Sequence, residues 1–175
     1  ALQRLALDIE KTDYFITHSH ADHMGLVDVL AGKNSRVYFE RYEAERLVSE
    51  SLMQWAIRNT MLARLYGFPD DVAEEMRQGI SRMKDIRTVL PVLSPLSEGD
   101  KLKTGDYLFE CIETPGHSQG HMCLYESNHK VLISGDHILG DITPNISSRY
   151  NDENPLGEYL ASLDKVYPLD IRLVL

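Results

Sequence analysis

The 175-residue sequence is short of cysteine, of tryptophan and of positive charge. Its two thiols, Cys111 and Cys123, cannot build the disulfide framework of a small secreted domain. Both lie in strand-like apolar stretches and are expected to be buried and reduced. Lysine and arginine number 18 against 27 aspartates and glutamates, a formal net charge of −9. Nucleic-acid binding draws on clustered Lys and Arg that neutralise phosphates and release counterions, so this deficit argues against such a partner. No apolar run approaches the roughly 20 residues that cross a bilayer, so no membrane partner is expected and the simplest compartment is the cytoplasm. What remains is ordinary globular composition, 43% hydrophobic and 26% charged, over a length suited to one domain of roughly 100 to 200 residues. Oligomeric state has no signature in it.

Short strand signals alternate with helical ones, the pattern of layered sheets and helices. Leu2–Glu10 reads as the end of a helix, Asp13–Thr17 as a β-rich run, Met24–Ala31 as a helix stopped by Gly32, and Arg36–Glu40 as a strand. From Glu43 to about Ile86 the spacing is helical, with one break at Tyr66-Gly67-Phe68-Pro69. Val48, Leu52, Trp55, Leu62 and Leu65 share one face, and Val72, Met76, Ile80 and Met83 another, which predicts a helical hairpin. Beyond Pro91, turns at Gly99-Asp100 and Gly105-Asp106 precede strands over Tyr107–Glu113, Met122–Glu126 and Val131–Ser134. Pro155–Val166 reads as a helix with proline at its start, and Ile171–Leu175 as a last strand.

Three polar motifs follow apolar strands. In Thr17-His18-Ser19-His20-Ala21-Asp22-His23, an extended backbone turns His18 and His20 to one side, while the turn into the next helix aims Asp22 and His23 at an adjacent point. Imidazole and carboxylate at this density suit zinc, iron or manganese better than calcium or magnesium. Thr114-Pro115-Gly116-His117-Ser118-Gln119-Gly120-His121 makes a tight excursion after the strand ending at Glu113, and Ser134-Gly135-Asp136-His137 ends the next in the same way. Three such motifs can converge on one sheet edge, and together they point to a two-metal site.

These residues resemble the metallo-β-lactamase superfamily, whose HxHxDH signature stands intact at His18–His23, with the TPGHSxGH turn and the strand-SGD segment in the expected order. The closest likeness is to its glyoxalase II-like hydrolases. The resemblance implies an α/β fold, an αββα sandwich with two divalent metal ions at one edge of the paired sheets, zinc first and iron or manganese as alternatives. It implies that His18, His20 and His117 hold one metal, Asp22 and His23 the other, and that Asp136 bridges both. His121 would orient a ligand, and His137 would line the substrate pocket, bond the bridging carboxylate or serve structure alone. His129, in the turn Ser127–Lys130, is expected to be solvated. The family pattern also places strands before Ala1 and a further metal histidine after Leu175, so the expectation is a single domain over 1–175, incomplete at both ends.

Two ions about 3.5 to 4 Å apart share a water, lower its pKa toward about 7 and polarise a substrate carbonyl. Hydrolysis of an ester, thioester, lactone or amide of a small-molecule metabolite by a bridging hydroxide follows, with Asp136 fixing the metals and Asp22 orienting the attack. No Gly-x-Ser-x-Gly elbow or phosphate-cradling loop offers a different nucleophile or cofactor. A phosphodiesterase using the same ligands, and a binding domain without catalysis, are the competing readings. The hairpin over about 43–86 interrupts the expected core and reads as an insertion, a lid whose Trp55, Tyr66 and Phe68 would line an apolar pocket, or would simply pack the hairpin.

Overall fold

The computed structural model describes residues 8–49, 51–81, 92–146 and 154–175. The chain divides into two compact units, one of Ala1–Ala44 with Pro91–Leu175 and one of Glu45–Leu90.

The first unit is built on two sheets. β1 (Tyr14–Phe15), β2 (Arg36–Glu40) and β3 (Val92–Leu96) run parallel in the order β1-β2-β3. Two short helices, α1 (Ala21–Met24) and α2 (Val27–Leu30), connect β1 to β2, and α3 (Arg41–Ser49) follows β2. β2 is the middle strand, and its Val37 and Phe39 are fully buried. The second sheet has the order β4-β5-β6-β7-β8, from β4 (Lys101–Thr104), β5 (Tyr107–Glu113), β6 (Met122–Glu126), β7 (Val131–Ile133) and β8 (Leu173–Val174). Its strands are antiparallel except for the β7–β8 pair, which is parallel.

Alternation along β5 and β6 sends side chains to both faces of that sheet, and both are covered. Phe109, Cys111, Met122 and Leu124 form one cluster with Leu96 of β3, and Phe15 and Tyr38 pack against it, so this face meets the first sheet. Ile112, Cys123 and Leu132 form the other with Val166, at the end of α6 (Pro155–Val166). Burial of a side chain the size of Met122 or Leu132 contributes roughly 1.5–3 kcal/mol, which makes this double-sided sheet the unit's stabilising element. Cys111 and Cys123 are buried free thiols, as expected, and burial pushes each up to about 12.

Several boundaries agree with the sequence reading: β2, β5, β6 and α6 have the expected limits, and Pro155 opens α6 while the Asn154 side chain caps it. The helix expected over Met24–Ala31 is instead the pair α1 and α2, because the chain already turns at His20, which stands at the N-cap position of α1 without a side-chain capping bond. Ile9–Lys11 is a single 3-10 turn, and the rest of the helix expected over Leu2–Glu10 lies outside the described residues but for Asp8.

The second unit contains α4 (Leu52–Leu65) and α5 (Asp70–Ser81), packed against each other. Ser51 and Gln54 form a reciprocal capping box that starts α4, a second break the helical spacing did not reveal. The hairpin expected from the helical spacing is present, with its break at Tyr66-Gly67-Phe68-Pro69. Among the described residues of this unit Ala56, Thr60, Ala63 and Ala73 are buried, whereas Val48, Leu65, Val72 and Met76 are exposed and Trp55, Leu62 and Ile80 half-buried. Small side chains at helical spacing let two helices approach closely, and Thr60 satisfies its hydroxyl on the Ala56 carbonyl at 2.8 Å. Tyr66 and Phe68, in the turn between the helices, are each 51% exposed. Met83 and Ile86 lie outside the described residues.

Candidate metal centre

Backbone pairing carries the first motif to the sheet edge. Ile16 donates to the Tyr38 carbonyl at 3.0 Å, and Met122 donates to the Thr17 carbonyl at 2.9 Å, so the end of β1 is tied to both sheets. His18 follows fully buried, and α1 begins directly after His20 with Asp22 and His23 on its single turn. The second motif closes on itself through Thr114 N–H donating to the His121 carbonyl at 2.8 Å. The third is a one-turn 3-10 segment, Gly135–His137, after β7.

The three segments bring their donors together. His18 Nε2 lies 2.9 Å from His20 Nδ1 and 3.2 Å from His117 Nε2, and His117 Nε2 lies 2.9 Å from His20 Nδ1. Asp136 Oδ2 is 3.3 Å from His117 Nε2, while its other oxygen, Oδ1, is 3.1 Å from His23 Nε2. Asp22 Oδ2 completes the second group, 3.7 Å from His23 Nε2. His18, His20, His117 and Asp136 could thus hold one ion, and Asp22, His23 and Asp136 another.

The donor chemistry fits a metal. Three ring nitrogens facing one another cannot all be satisfied by mutual hydrogen bonds, since each has one lone pair or one proton to offer. A tetrahedral ion with metal–nitrogen bonds of about 2.0–2.1 Å would hold its nitrogens roughly 3.3 Å apart, close to the separations found. Burial, reinforced by neighbouring imidazoles, pushes His18 down to about 2 and lowers His20 as well. Neutral imidazole is the form that binds metal.

Around these donors stand further polar groups. Thr17 Oγ1 meets His18 Nδ1 at 3.1 Å and His23 Nδ1 at 3.3 Å. The Asn145 carbonyl accepts from His117 Nδ1 at 2.7 Å, which turns that ring's Nε2 toward the other histidines. His121 is fully buried behind His18, with ring centroids 5.2 Å apart, and its Nδ1 meets Thr114 Oγ1 at 2.7 Å. His137 is fully buried, with its ring centroid 5.2 Å from that of Tyr159, and it makes no hydrogen bond to the Asp136 carboxylate. His129 is also not merely solvated: its N–H and its ring both bond the buried Glu126 carboxylate, and those bonds, the backbone one first, hold Glu126 below the usual carboxylate range.

Burial pushes His121 down to about 3 and His137 down to about 4. A histidine whose folded pKa lies below the unfolded 6.5 contributes stability above that pH and loses it as pH falls further, until the folded value is reached. Each is therefore expected to cost about 2 kcal/mol at pH 5 relative to pH 7.5. Urea midpoints of the metal-free protein at the two pH values check this, and His137→Asn should remove its own share of about 2 kcal/mol while the shares of His18, His20 and His121 remain. Equal midpoints at the two pH values would refute it.

Likeness to known proteins follows the same lines. Over 136 residues, 77% of this chain and 54% of its relative, the chain is 28% identical to the hydroxyacylglutathione hydrolase GloC of Haemophilus influenzae. Over 41 residues, 23% of this chain and 15% of its relative, it is 46% identical to the acyl-coenzyme A thioesterase MBLAC2 of Gallus gallus. The crystal structure of the metallo-beta-lactamase family protein TTHA1429 from Thermus thermophilus superposes with a TM-score of 0.75 at 28% identity, covering 99% of this chain and 57% of that one. The chain spans about half the length of the relatives it matches over most of its own extent. The sequence pattern of the metallo-beta-lactamase superfamily itself matches residues 4–175, spanning all three polar motifs. With a two-sheet α/β fold, and a His and Asp cluster where those motifs meet, the chain belongs to the metallo-β-lactamase superfamily.

Proposed function

We propose that this chain carries the metal centre of a hydrolase that cleaves thioesters of small acyl metabolites. The observation that carries the reading is the orientation of Asp136, whose two carboxylate oxygens face different donor groups, Oδ2 toward His117 and Oδ1 toward His23. In this reading His18, His20 and His117 hold one divalent ion, Asp22 and His23 hold the second, and Asp136 holds both. Zinc is the first choice of metal, with iron or manganese suited to the same donors. Two such ions, when bound, supply Lewis acidity toward a carbonyl and activation of a water.

The chain's own residues then divide the work. Asp136 sets the spacing of the two donor groups. Asp22, whose side chain is 77% exposed, presents a carboxylate oxygen to solvent where it can accept a hydrogen bond from the attacking water and orient it. The buried imidazole of His121, held by Thr114 Oγ1 at its Nδ1, packs behind His18. Thioesters are preferred over other acyl substrates because a hydroxyacylglutathione hydrolase and an acyl-coenzyme A thioesterase are both among the relatives. A net charge of −9 disfavours the phosphodiester alternative.

Purified protein reconstituted with Zn²⁺ is expected to hydrolyse a hydroxyacylglutathione or an acyl-coenzyme A thioester, to lose that activity with a chelator and to regain it with added metal. Turnover of a phosphodiester alone, or thioester hydrolysis indifferent to chelation, would sink the proposal.

A further inference from the structure

We propose that the Thr17 hydroxyl is a shared positioning group that orients one histidine of each donor set, His18 and His23, through their Nδ1 atoms. The inference rests on the two-metal reading above and names a residue that reading does not use.

Both imidazoles present the same pair of atoms. His18 Nε2 faces His20 and His117, and His23 Nε2 faces Asp136 and Asp22, so Nε2 is the atom each ring offers to an ion. Neutral imidazole with a free Nε2 carries its proton on Nδ1. Those two Nδ1 atoms converge on one oxygen, Thr17 Oγ1, at 3.1 and 3.3 Å. A hydroxyl has two lone pairs and can accept from both N–H groups at once. Thr17 is itself immobilised: it is 8% exposed, and its carbonyl accepts from Met122 N–H of β6.

Gly135 provides the room. It adopts φ +49, and a Cβ there would stand 2.8 Å from Thr17 Oγ1, Thr17 Cβ and His121 Nε2 alike. The residue preceding Asp136 therefore has to be glycine for the threonine to lie beneath both rings. His121 Nε2, buried and without a hydrogen-bond partner among the described residues, borders the same point. One side chain next to the histidine motif thus sets ring orientation at both metal positions, so they should respond together when it is changed.

Two variants separate the hydroxyl from its shape. Thr17→Val keeps the branched outline and removes the oxygen; Thr17→Ser keeps the oxygen and removes the methyl. Competition between the protein and a chromophoric chelator for Zn²⁺ is expected to show Thr17→Val weakened about 10- to 100-fold at both positions and Thr17→Ser within about threefold of the parent. In the metal-free parent, nitrogen-15 spectra of the imidazoles are expected to show the Nδ1–H tautomer for His18 and His23, and a mixture in Thr17→Val. Zinc binding by Thr17→Val equal to the parent, weakening confined to one position, or Thr17→Ser as weak as Thr17→Val would each overturn the proposal. So would an Nε2–H tautomer at either ring in the parent. A parent that binds fewer than two Zn²⁺ ions would count against the two-metal reading, while the metal-free spectra would still decide the role of Thr17.

Discussion

Replacing Asp136 with alanine is expected to lower metal-dependent hydrolysis by about 10³-fold or more, the largest single effect predicted for this protein. A bridging carboxylate contributes to both metal positions, and the charge stabilisation supplied by bound metal is worth several kcal/mol of the barrier, each 1.36 kcal/mol being about tenfold in rate. Asp136 is the one residue common to the two donor groups, so its removal cannot be offset by the other site. Stability of the metal-free protein should change little, because the carboxylate is not fully buried and its loss leaves no cavity in either core cluster. Turnover at saturating substrate, zinc content by elemental analysis and a thermal melt together test this. A variant that keeps more than about a tenth of parental turnover with two bound metals would remove Asp136 from the centre.

The second large effect concerns the fold behind the site. Gly116 has φ +140, and a Cβ there would meet Tyr159 Cβ, Cα and N at 2.5, 2.6 and 2.8 Å. Two of those atoms are backbone of α6, so no side-chain rotation relieves the clash. Gly116→Ala is expected to destabilise the protein by about 3–5 kcal/mol, combining an unfavourable backbone angle with overpacking. Gly99 also has positive φ, +82, but nothing lies within 4 Å of its added Cβ. Gly99→Ala should therefore cost only the left-handed strain, about 1–2 kcal/mol. Denaturant midpoints of the two variants compare these directly, and equal losses would show that close packing of α6 is not what requires Gly116. His117 follows Gly116 in sequence, so zinc affinity should fall along with stability in Gly116→Ala alone.

Much of the first unit was legible from local pattern. Alternation marked β5 and β6, and Pro155 marked the start of α6, because these signals act within a few residues. Periodicity also marked α4 and α5 and the break at Tyr66-Gly67-Phe68-Pro69 between them, but it did not show that Ala56, Ala63 and Ala73 are buried while larger apolar residues such as Leu65 and Met76 are exposed. Hydrophobic spacing ranks side chains by size and polarity, whereas close helix packing selects for smallness. At the centre, residue types were legible but partners were not. The Asn145 carbonyl orients His117 from 28 residues away in sequence, and Thr17 reads in the sequence only as the last residue of a β-rich run.

By itself the sequence determined which donors are available, in what order, and that the surface carries a deficit of positive charge. Tertiary structure decided which ring nitrogen each histidine offers, that Asp136 turns one oxygen to each donor group, and that a single hydroxyl stands under two imidazoles. The reason is one of scale. A donor's identity is a property of one residue, but a metal position is set to within tenths of an ångström by segments as far apart as His18 and His117. Only the pairing of β1 with β2, the tie from Thr17 to β6, and the clearance at Gly116 and Gly135 bring those segments to that separation.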